Sequence, residues 1–131
     1  MEPDLITEER LLPILDELRQ REPIFHRPEQ GSTRRDFEAM TDEHYWEIGA
    51  SGRRYSRTFV LDTLDQRAAH PADDPWETRD FYCRELSPDT YLLTYTLLQG
   101  PRVTRRTTLW RRAASGWQIL FHQGTLLHPA G

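Results

Sequence analysis

The chain has 131 residues, of which 37% are hydrophobic and 29% are charged, and its net charge at pH 7 is -4. This length and composition are typical of one globular domain, and the acidic balance argues against a nucleic-acid partner, because neutralising phosphates requires a basic surface. All 17 basic residues are arginine, which excludes Schiff-base chemistry and any phosphate-binding loop that depends on lysine.

Two helices are predicted before the first strand. Residues 7–9 supply a capping side chain and two acids, and leucines then recur at helical spacing over residues 11–18. Pro13 is costly inside a helix, so the helix either begins beside it or bends there. We expect it to end at Glu22, because the residue before a proline avoids helical geometry. A second, short helix is predicted over residues 34–40.

A strand, a short returning strand and a third helix follow. Residues 44–48 have strand composition, and the glycines of 49–52 permit a tight turn into a brief strand at 53–55. Ser56 is a good N-cap for the third helix, in which five residues are expected to line one face. These are Phe59, Val60, Thr63, Leu64 and Ala68. A polar loop at residues 70–75 follows this helix.

The C-terminal half predicts four long strands that carry most of the core. They span residues 76–86, 91–98, 103–112 and 117–124, and short turns join them. Short connections favour antiparallel pairing. We therefore predict an α+β fold, a cone in which N-terminal helices pack on a curved antiparallel sheet. The mouth of such a cone, with apolar walls and a few polar groups, is a typical small-molecule site.

This order of elements resembles the nuclear transport factor 2-like superfamily, in its SnoaL-like branch of small bacterial domains of unassigned function. The segments that carry the likeness are residues 37–40, 44–52, 56–64, 108–112 and 116–124. The resemblance covers nearly the whole chain and implies a single domain over residues 1–131 that forms a homodimer through its sheet. The superfamily includes dehydratases, isomerases, cyclases and epoxide hydrolases as well as domains that only bind or dimerise, so no single activity is implied. Its enzymes use a carboxylate, a tyrosine or a histidine deep in the cone.

Metal and cofactor sites are not expected. The histidines are His26, His44, His70, His122 and His128. None has the spacing of a zinc motif, and a single cysteine, Cys83, provides no second thiolate; we expect it to be buried. The two glycines at residues 49–52 lack the third glycine of a dinucleotide-binding loop. Serines 51, 56 and 115 lie in turn or cap contexts, which argues against a nucleophilic triad.

The N-terminus is acidic and is not followed by an apolar run, so no signal peptide is predicted. No window approaches the roughly 20 apolar residues of a membrane span. We therefore expect a cytoplasmic protein without a membrane partner.

An arginine-rich strand offers one candidate contact to a ligand. Because side chains alternate along a strand, Arg102, Arg106 and Arg112 share a face with Trp110, while Arg105 and Arg111 share the other. Pairing with Asp80 and Glu85 of the neighbouring strand is the favoured interpretation. The functional alternative is an arginine at the cone mouth that binds a carboxylate or phosphate through its planar fork.

Aromatic and acidic residues form the second candidate set. The residues predicted to bind a ligand are Tyr45, Glu47, Tyr95, Arg106, Trp110 and His122. Among them Glu47, Tyr45 and His122 are the best catalytic candidates, because a carboxylate in an apolar pocket has a raised pKa and a tyrosine or histidine can donate a hydrogen bond beside it. Alternation shows which residues share a face but not which face is inside, and packing of these side chains in the core explains them equally well.

Three functions are compatible with these patterns. The first is binding of a small, partly apolar molecule without a cofactor. The alternative is a cofactor-independent lyase or isomerase that acts by proton abstraction or dehydration through Glu47. The third is a dimeric interaction module whose cone is filled by its own side chains.

Overall fold

The computed structural model describes residues 1–69 and 75–128, in which the chain forms three α-helices and six β-strands. The helices are α1 (Leu12–Arg19), α2 (Arg34–Met40) and α3 (Arg57–Ala69). The strands are β1 (Thr41–Ile48), β2 (Arg54–Ser56), β3 (Glu77–Ser87), β4 (Thr90–Gln99), β5 (Arg102–Ala113) and β6 (Gly116–Leu126). The predicted polar loop falls, except for Pro75, outside the described residues.

Helix α1 begins at Leu12, which places Pro13 in its first turn, where a missing backbone N–H costs nothing. A short 3₁₀ turn precedes it, and Leu18 is completely buried. The helix ends at Arg19, so the predicted end at Glu22 was three residues too late. Thr7 does not cap the helix; its hydroxyl accepts a hydrogen bond from the Cys83 backbone N–H at 3.1 Å, which ties the N-terminal segment to β3.

Helix α2 occupies the predicted residues because a capping box sets its start. The Thr33 hydroxyl accepts from the Asp36 amide, and the Asp36 carboxylate accepts from the Thr33 amide, each at 3.1 Å. Phe37 is buried, and β1 begins at the next residue after the helix, Thr41. The helix therefore leads directly into the sheet.

Helix α3 buries a slightly different face from the one predicted. Val60, Leu61 and Leu64 are buried, whereas Phe59 is 53% exposed. The Phe59 ring stacks on Tyr55 with ring centroids 5.1 Å apart. The exposed positions of this helix are therefore available to border a cavity.

The six strands form one sheet in the order β2-β1-β6-β5-β4-β3. The predicted meander is confirmed, since β3 to β6 pair as consecutive antiparallel neighbours. The sheet is mixed, because β1 pairs with β6 in parallel, and the predicted antiparallel pairing holds for its other neighbours. Hairpins force antiparallel pairing, but β1 and β6 are far apart in the chain and carry no such constraint.

The inner face of the sheet is the face that carries Trp110 on β5 and Tyr95 on β4, both 2% exposed. On β6 both Ile119 and His122 are buried, although alternation alone would place them on opposite faces. A register shift between β5 and β6 beside Trp110 accounts for this. Helices α1 and α3 pack against the sheet, giving the predicted α+β cone.

Candidate functional site

A cavity of about 390 Å³ lies where α3 and the segment after α1 face the inner side of β1, β5 and β6. Its apolar wall includes Phe25, Val60 and Leu64. Its ionisable and hydroxyl-bearing lining residues are His26, Glu47, Tyr55, Thr63, Arg67, Arg106 and His122. The structure therefore brings together three of the predicted ligand-binding residues, Glu47, Arg106 and His122.

Glu47 is the acidic residue of the cavity lining, and a hydrogen bond from Tyr45 positions its carboxyl group. Alternation along β1 turns both side chains inward, and the Tyr45 hydroxyl donates to Glu47 Oε1 at 2.8 Å. Burial raises the pKa of the Glu47 carboxyl, while the Tyr45 hydroxyl and the charge of Arg106 partly oppose that rise. Burial and the charge of Glu47 raise the pKa of Tyr45 well above its ordinary value. Glu47 is thus a half-buried carboxyl poised to exchange a proton closer to neutrality than a surface glutamate.

Arg106 and His122 form a second polar pair on neighbouring strands. Arg106 Nη1 lies 3.3 Å from His122 Nε2, and His122 Nδ1 lies 2.8 Å from Thr108 Oγ1. A guanidinium only donates, so Nε2 is the acceptor and Nδ1 carries the proton that is donated to Thr108. Burial and the charge of Arg106 lower the pKa of His122 to about 3. His122 is therefore a neutral imidazole that orients Arg106.

Arg67 and His26 repeat this arrangement on the opposite wall. Arg67 Nη1 lies 3.3 Å from His26 Nε2, and Arg67 Nη2 donates to the Phe25 carbonyl at 2.7 Å. Burial and the charges of Arg67 and Arg106 lower the pKa of His26 to about 4. Burial also lowers the pKa of Arg67. Arg67 and Arg106 therefore place two positive charges in the lining of the same cavity.

Three other arginines of β5, Arg105, Arg111 and Arg112, have structural roles. Arg105 pairs with Asp80 at 3.7 Å and with Glu2 at 2.9 Å, so the predicted pairing with Asp80 is confirmed. Glu85 pairs instead with Arg10 from the segment before α1. Arg111 pairs with Asp42, and Arg112 lies over the Trp117 ring. Arg106 differs from these in pointing into the cavity.

Glu22 lies beneath the cavity and is completely buried. Its Oε1 accepts from the Tyr95 hydroxyl at 2.7 Å and from the Ile24 amide at 3.2 Å, and its Oε2 accepts from Trp110 Nε1 at 3.0 Å. Burial raises the pKa of Glu22, and hydrogen bonds from Thr108, Tyr95, Trp110 and the Ile24 amide oppose the rise. Through Thr108, this carboxyl group is connected to His122 and the cavity.

Tyr95 and Trp110 thus bond to Glu22 and do not line the cavity that contains Glu47. Tyr95 and Arg106 also border a second cavity of about 410 Å³ beside the N-terminal residues Glu2 and Leu5. The predicted contact of Tyr95 and Trp110 with a ligand stays a prediction.

Sequence reasoning missed three polar residues of this region: Glu22, His26 and Arg67. Glu22 was interpreted only as a helix end and His26 only as one of five scattered histidines, and Arg67 was not among the candidates. The local signal for this region is the apolar pair at residues 24–25, which lies between two prolines; Ile24 is 5% exposed.

Other sequence-level candidates are placed away from the cavity. Cys83 is buried, as predicted, and the Ser56 hydroxyl accepts from the Phe59 amide at 3.2 Å, which confirms it as the cap of α3. Within residues 1–69 and 75–128, no three His, Cys, Asp or Glu side chains gather as a metal site. His70 lies outside that part of the chain. No helix in the described residues is long and apolar enough to cross a membrane.

Comparisons with known proteins identify the fold. No family model and no curated protein match the chain. An NTF2-like protein of Cytophaga hutchinsonii is similar in structure, with a TM-score of 0.69 and 14% identity, over 92% of this chain and 100% of that chain. A protein of unknown function from the DUF3225 family of Pectobacterium atrosepticum has a TM-score of 0.68 and 16% identity, over 98% and 99%. A Streptomyces avermitilis protein described as a "putative dehydratase from the NTF2-like family" has a TM-score of 0.69 and 15% identity, over 88% and 97%.

The chain therefore has the nuclear transport factor 2-like fold, and the predicted resemblance is confirmed at that level. Its assignment to the SnoaL-like branch stays a prediction. Function must be argued from the site, since this fold is shared by proteins of different activity.

Proposed function

We propose that this protein binds a small, partly apolar molecule in the cavity between α3 and the inner face of the sheet. The observation that carries this proposal is the cavity itself: about 390 Å³, walled by Phe25, Val60 and Leu64 and lined by a few inward polar groups. Cavities of about 300–1,000 Å³ with this mixed lining are typical of small-molecule sites.

Native mass spectrometry of gently purified protein tests this proposal. We expect a retained small molecule, or one gained from a metabolite extract. The variant Thr63→Trp should abolish that gain, because Thr63 is exposed on α3 and borders the cavity. Gln66→Trp is the matched control, since Gln66 is also exposed on α3 and does not border it. A bare protein that gains nothing from the extract would contradict binding and would favour the interaction module instead.

A cofactor-independent lyase or isomerase is the second candidate, and Glu47 favours it. Glu47 combines a raised pKa with a position in the cavity lining and a hydrogen bond from Tyr45. Such a carboxyl group suits removal of a proton next to a carbonyl or the elimination of water, in which it takes up the proton. The description of the similar Streptomyces avermitilis protein as a "putative dehydratase" agrees with this type of chemistry.

The variant Glu47→Gln separates the two candidates. Once a retained molecule is identified, an enzyme should lose roughly 100-fold or more of its turnover on that molecule in this variant, with binding largely kept. The control is Asp62→Asn. Asp62 is an exposed acid on α3, the helix that forms part of the cavity wall, and its replacement should leave turnover unchanged. Unchanged turnover in Glu47→Gln would remove Glu47 as the base.

We also propose that two copies of this chain pair through the outer face of the sheet. Adjacent strands place Trp46, Phe121, Leu109 and Leu92 in one apolar row, and Trp46 is 42% exposed. Trp46→Glu should convert a dimer to a monomer in analytical ultracentrifugation, whereas Leu12→Glu, at an exposed leucine of α1, should not. A wild-type monomer would refute this pairing.

The cytoplasmic location predicted from the sequence stays a prediction.

A further inference from the structure

We propose that the ligand is an organic monocarboxylic acid, whose carboxylate is held by Arg106 and Arg67 and whose apolar body lies on Phe25, Val60 and Leu64. This inference depends on the proposed binding function and specifies the class of molecule that is bound.

Both arginines lack an acidic partner in the described part of the chain. Among the ion pairs within residues 1–69 and 75–128, none involves Arg67 or Arg106. Each guanidinium contacts only neutral groups: a histidine nitrogen, and either a hydroxyl or a backbone carbonyl. Partly burying a cation without a counter-charge is unfavourable, so an incoming anion would be stabilised there.

Each of these two guanidinium groups also keeps an N–H donor without a partner among the described residues. Arg106 uses Nε for Thr104 and Nη1 for His122, and in the described part of the chain its Nη2 has no protein partner. Arg67 likewise uses both terminal nitrogens and leaves Nε without one among those residues. No side-chain nitrogen in that part of the chain is both buried and unpaired, so these N–H groups are accessible. Charge-assisted bonds from guanidinium to carboxylate are the natural use of such donors.

The charges of the cavity lining also favour an anion. The two guanidinium groups are opposed by the carboxyl group of Glu47, while His26 and His122 accept from the arginines and are neutral. With Glu47 ionised, the lining carries one net positive charge, which matches a monoanion better than a phosphate dianion. Glu47 accepts the Tyr45 hydroxyl and, among the described residues, forms no ion pair with either arginine.

The test uses matched pairs of probes that differ only in charge: phenylacetate with phenylacetamide, hexanoate with hexanamide, and cinnamate with cinnamamide, together with phenyl phosphate. Binding is measured by calorimetry and by NMR of the histidine rings in wild-type protein and in Thr63→Trp. We expect at least one acid to bind on the order of 10- to 100-fold more tightly than its amide, with no binding to Thr63→Trp. The bound acid should shift the ring signals of His26 and His122 and raise the pKa of His26, because an anion opposes the charges of both arginines.

Variants identify the groups responsible. Arg106→Gln and Arg67→Gln should each remove most of the preference for acid over amide, and Arg106→Lys, which keeps the charge but loses the planar fork, should keep part of it. Arg102→Gln is the matched control, because Arg102 lies on the same face of β5 but is exposed and does not border the cavity. If Arg106→Gln fails to fold, Arg67→Gln and Arg106→Lys still decide the question.

The outcomes separate this inference from the proposed function. Equal binding of acid and amide, or unchanged selectivity in folded Arg67→Gln and Arg106→Lys, overturns the acid and leaves small-molecule binding intact. Tighter binding of phenyl phosphate overturns the monocarboxylate. If none of the probes binds and the extract supplies no retained molecule, both proposals fall.

Discussion

Replacing Glu22 is expected to cost a large part of the stability of this protein. Its buried carboxyl group accepts hydrogen bonds from the Ile24 amide, the Tyr95 hydroxyl and the Trp110 indole. In Glu22→Ala these three donors lose their acceptor, and each buried donor left unpaired costs about 1–3 kcal/mol. Because some donors will relax toward other groups, we expect the free energy of unfolding to fall by about 3–5 kcal/mol, less than the sum of three full penalties.

Glu22→Gln is the sharper variant, because it preserves the shape of the side chain. The carboxamide has one oxygen and one NH₂ group, whereas the Ile24 amide and the Trp110 indole donate to different oxygens of Glu22. Either orientation of the amide therefore sets an NH₂ group against a group that can only donate. We expect a loss of about 1–3 kcal/mol from one unpaired donor.

Unfolding in guanidinium chloride, followed by tryptophan fluorescence, measures both losses of stability. Each variant should unfold at a lower midpoint concentration of denaturant, with an unchanged slope of unfolding free energy against denaturant concentration. Glu17→Ala is the matched control, since Glu17 also accepts from an indole, that of Trp117 at 3.1 Å, but its side chain is 58% exposed. We expect that control to lose at most about 1 kcal/mol. A Glu22→Gln protein as stable as the wild type, or a Glu17→Ala protein as unstable as Glu22→Ala, would refute the argument from burial.

The remaining predictions concern pH and local structure. Because the pKa of His122 is lowered to about 3, its stabilising effect is complete above the ordinary value of 6.5 and is lost as the pH falls from 6.5 toward about 3. The free energy of unfolding should therefore decline by up to about 1.4 kcal/mol per pH unit in that window, and an equal slope in His122→Asn would contradict this. Thr33→Ala should lower stability by about 1 kcal/mol by removing the cap of α2, while Thr125→Ala, at an exposed threonine of β6, should change it little. Equal loss in both variants would show that the capping box contributes nothing.

The faces of the candidate site illustrate how far sequence reasoning reached. Alternation correctly grouped Tyr45 with Glu47 and Arg106 with Trp110, because neighbouring side chains on a strand point to opposite sides whatever surrounds it. It could not choose the inner face, since that choice depends on where the helices pack. On β6 the register shift beside Trp110 also places both Ile119 and His122 inside, which no simple alternation predicts.

Residues close together in the chain set the strand segments, the turns, the cap at Ser56 and the short helix α2, and these features could be predicted. They depend on local dihedral preferences and on hydrogen bonds between near neighbours. The parallel pairing of β1 with β6, the burial of Glu22 and the meeting of Arg67 with Arg106 around one cavity could not be predicted in this way. These features join segments distant in sequence, and their energies come from burial and contacts that exist only once the helices cover the sheet.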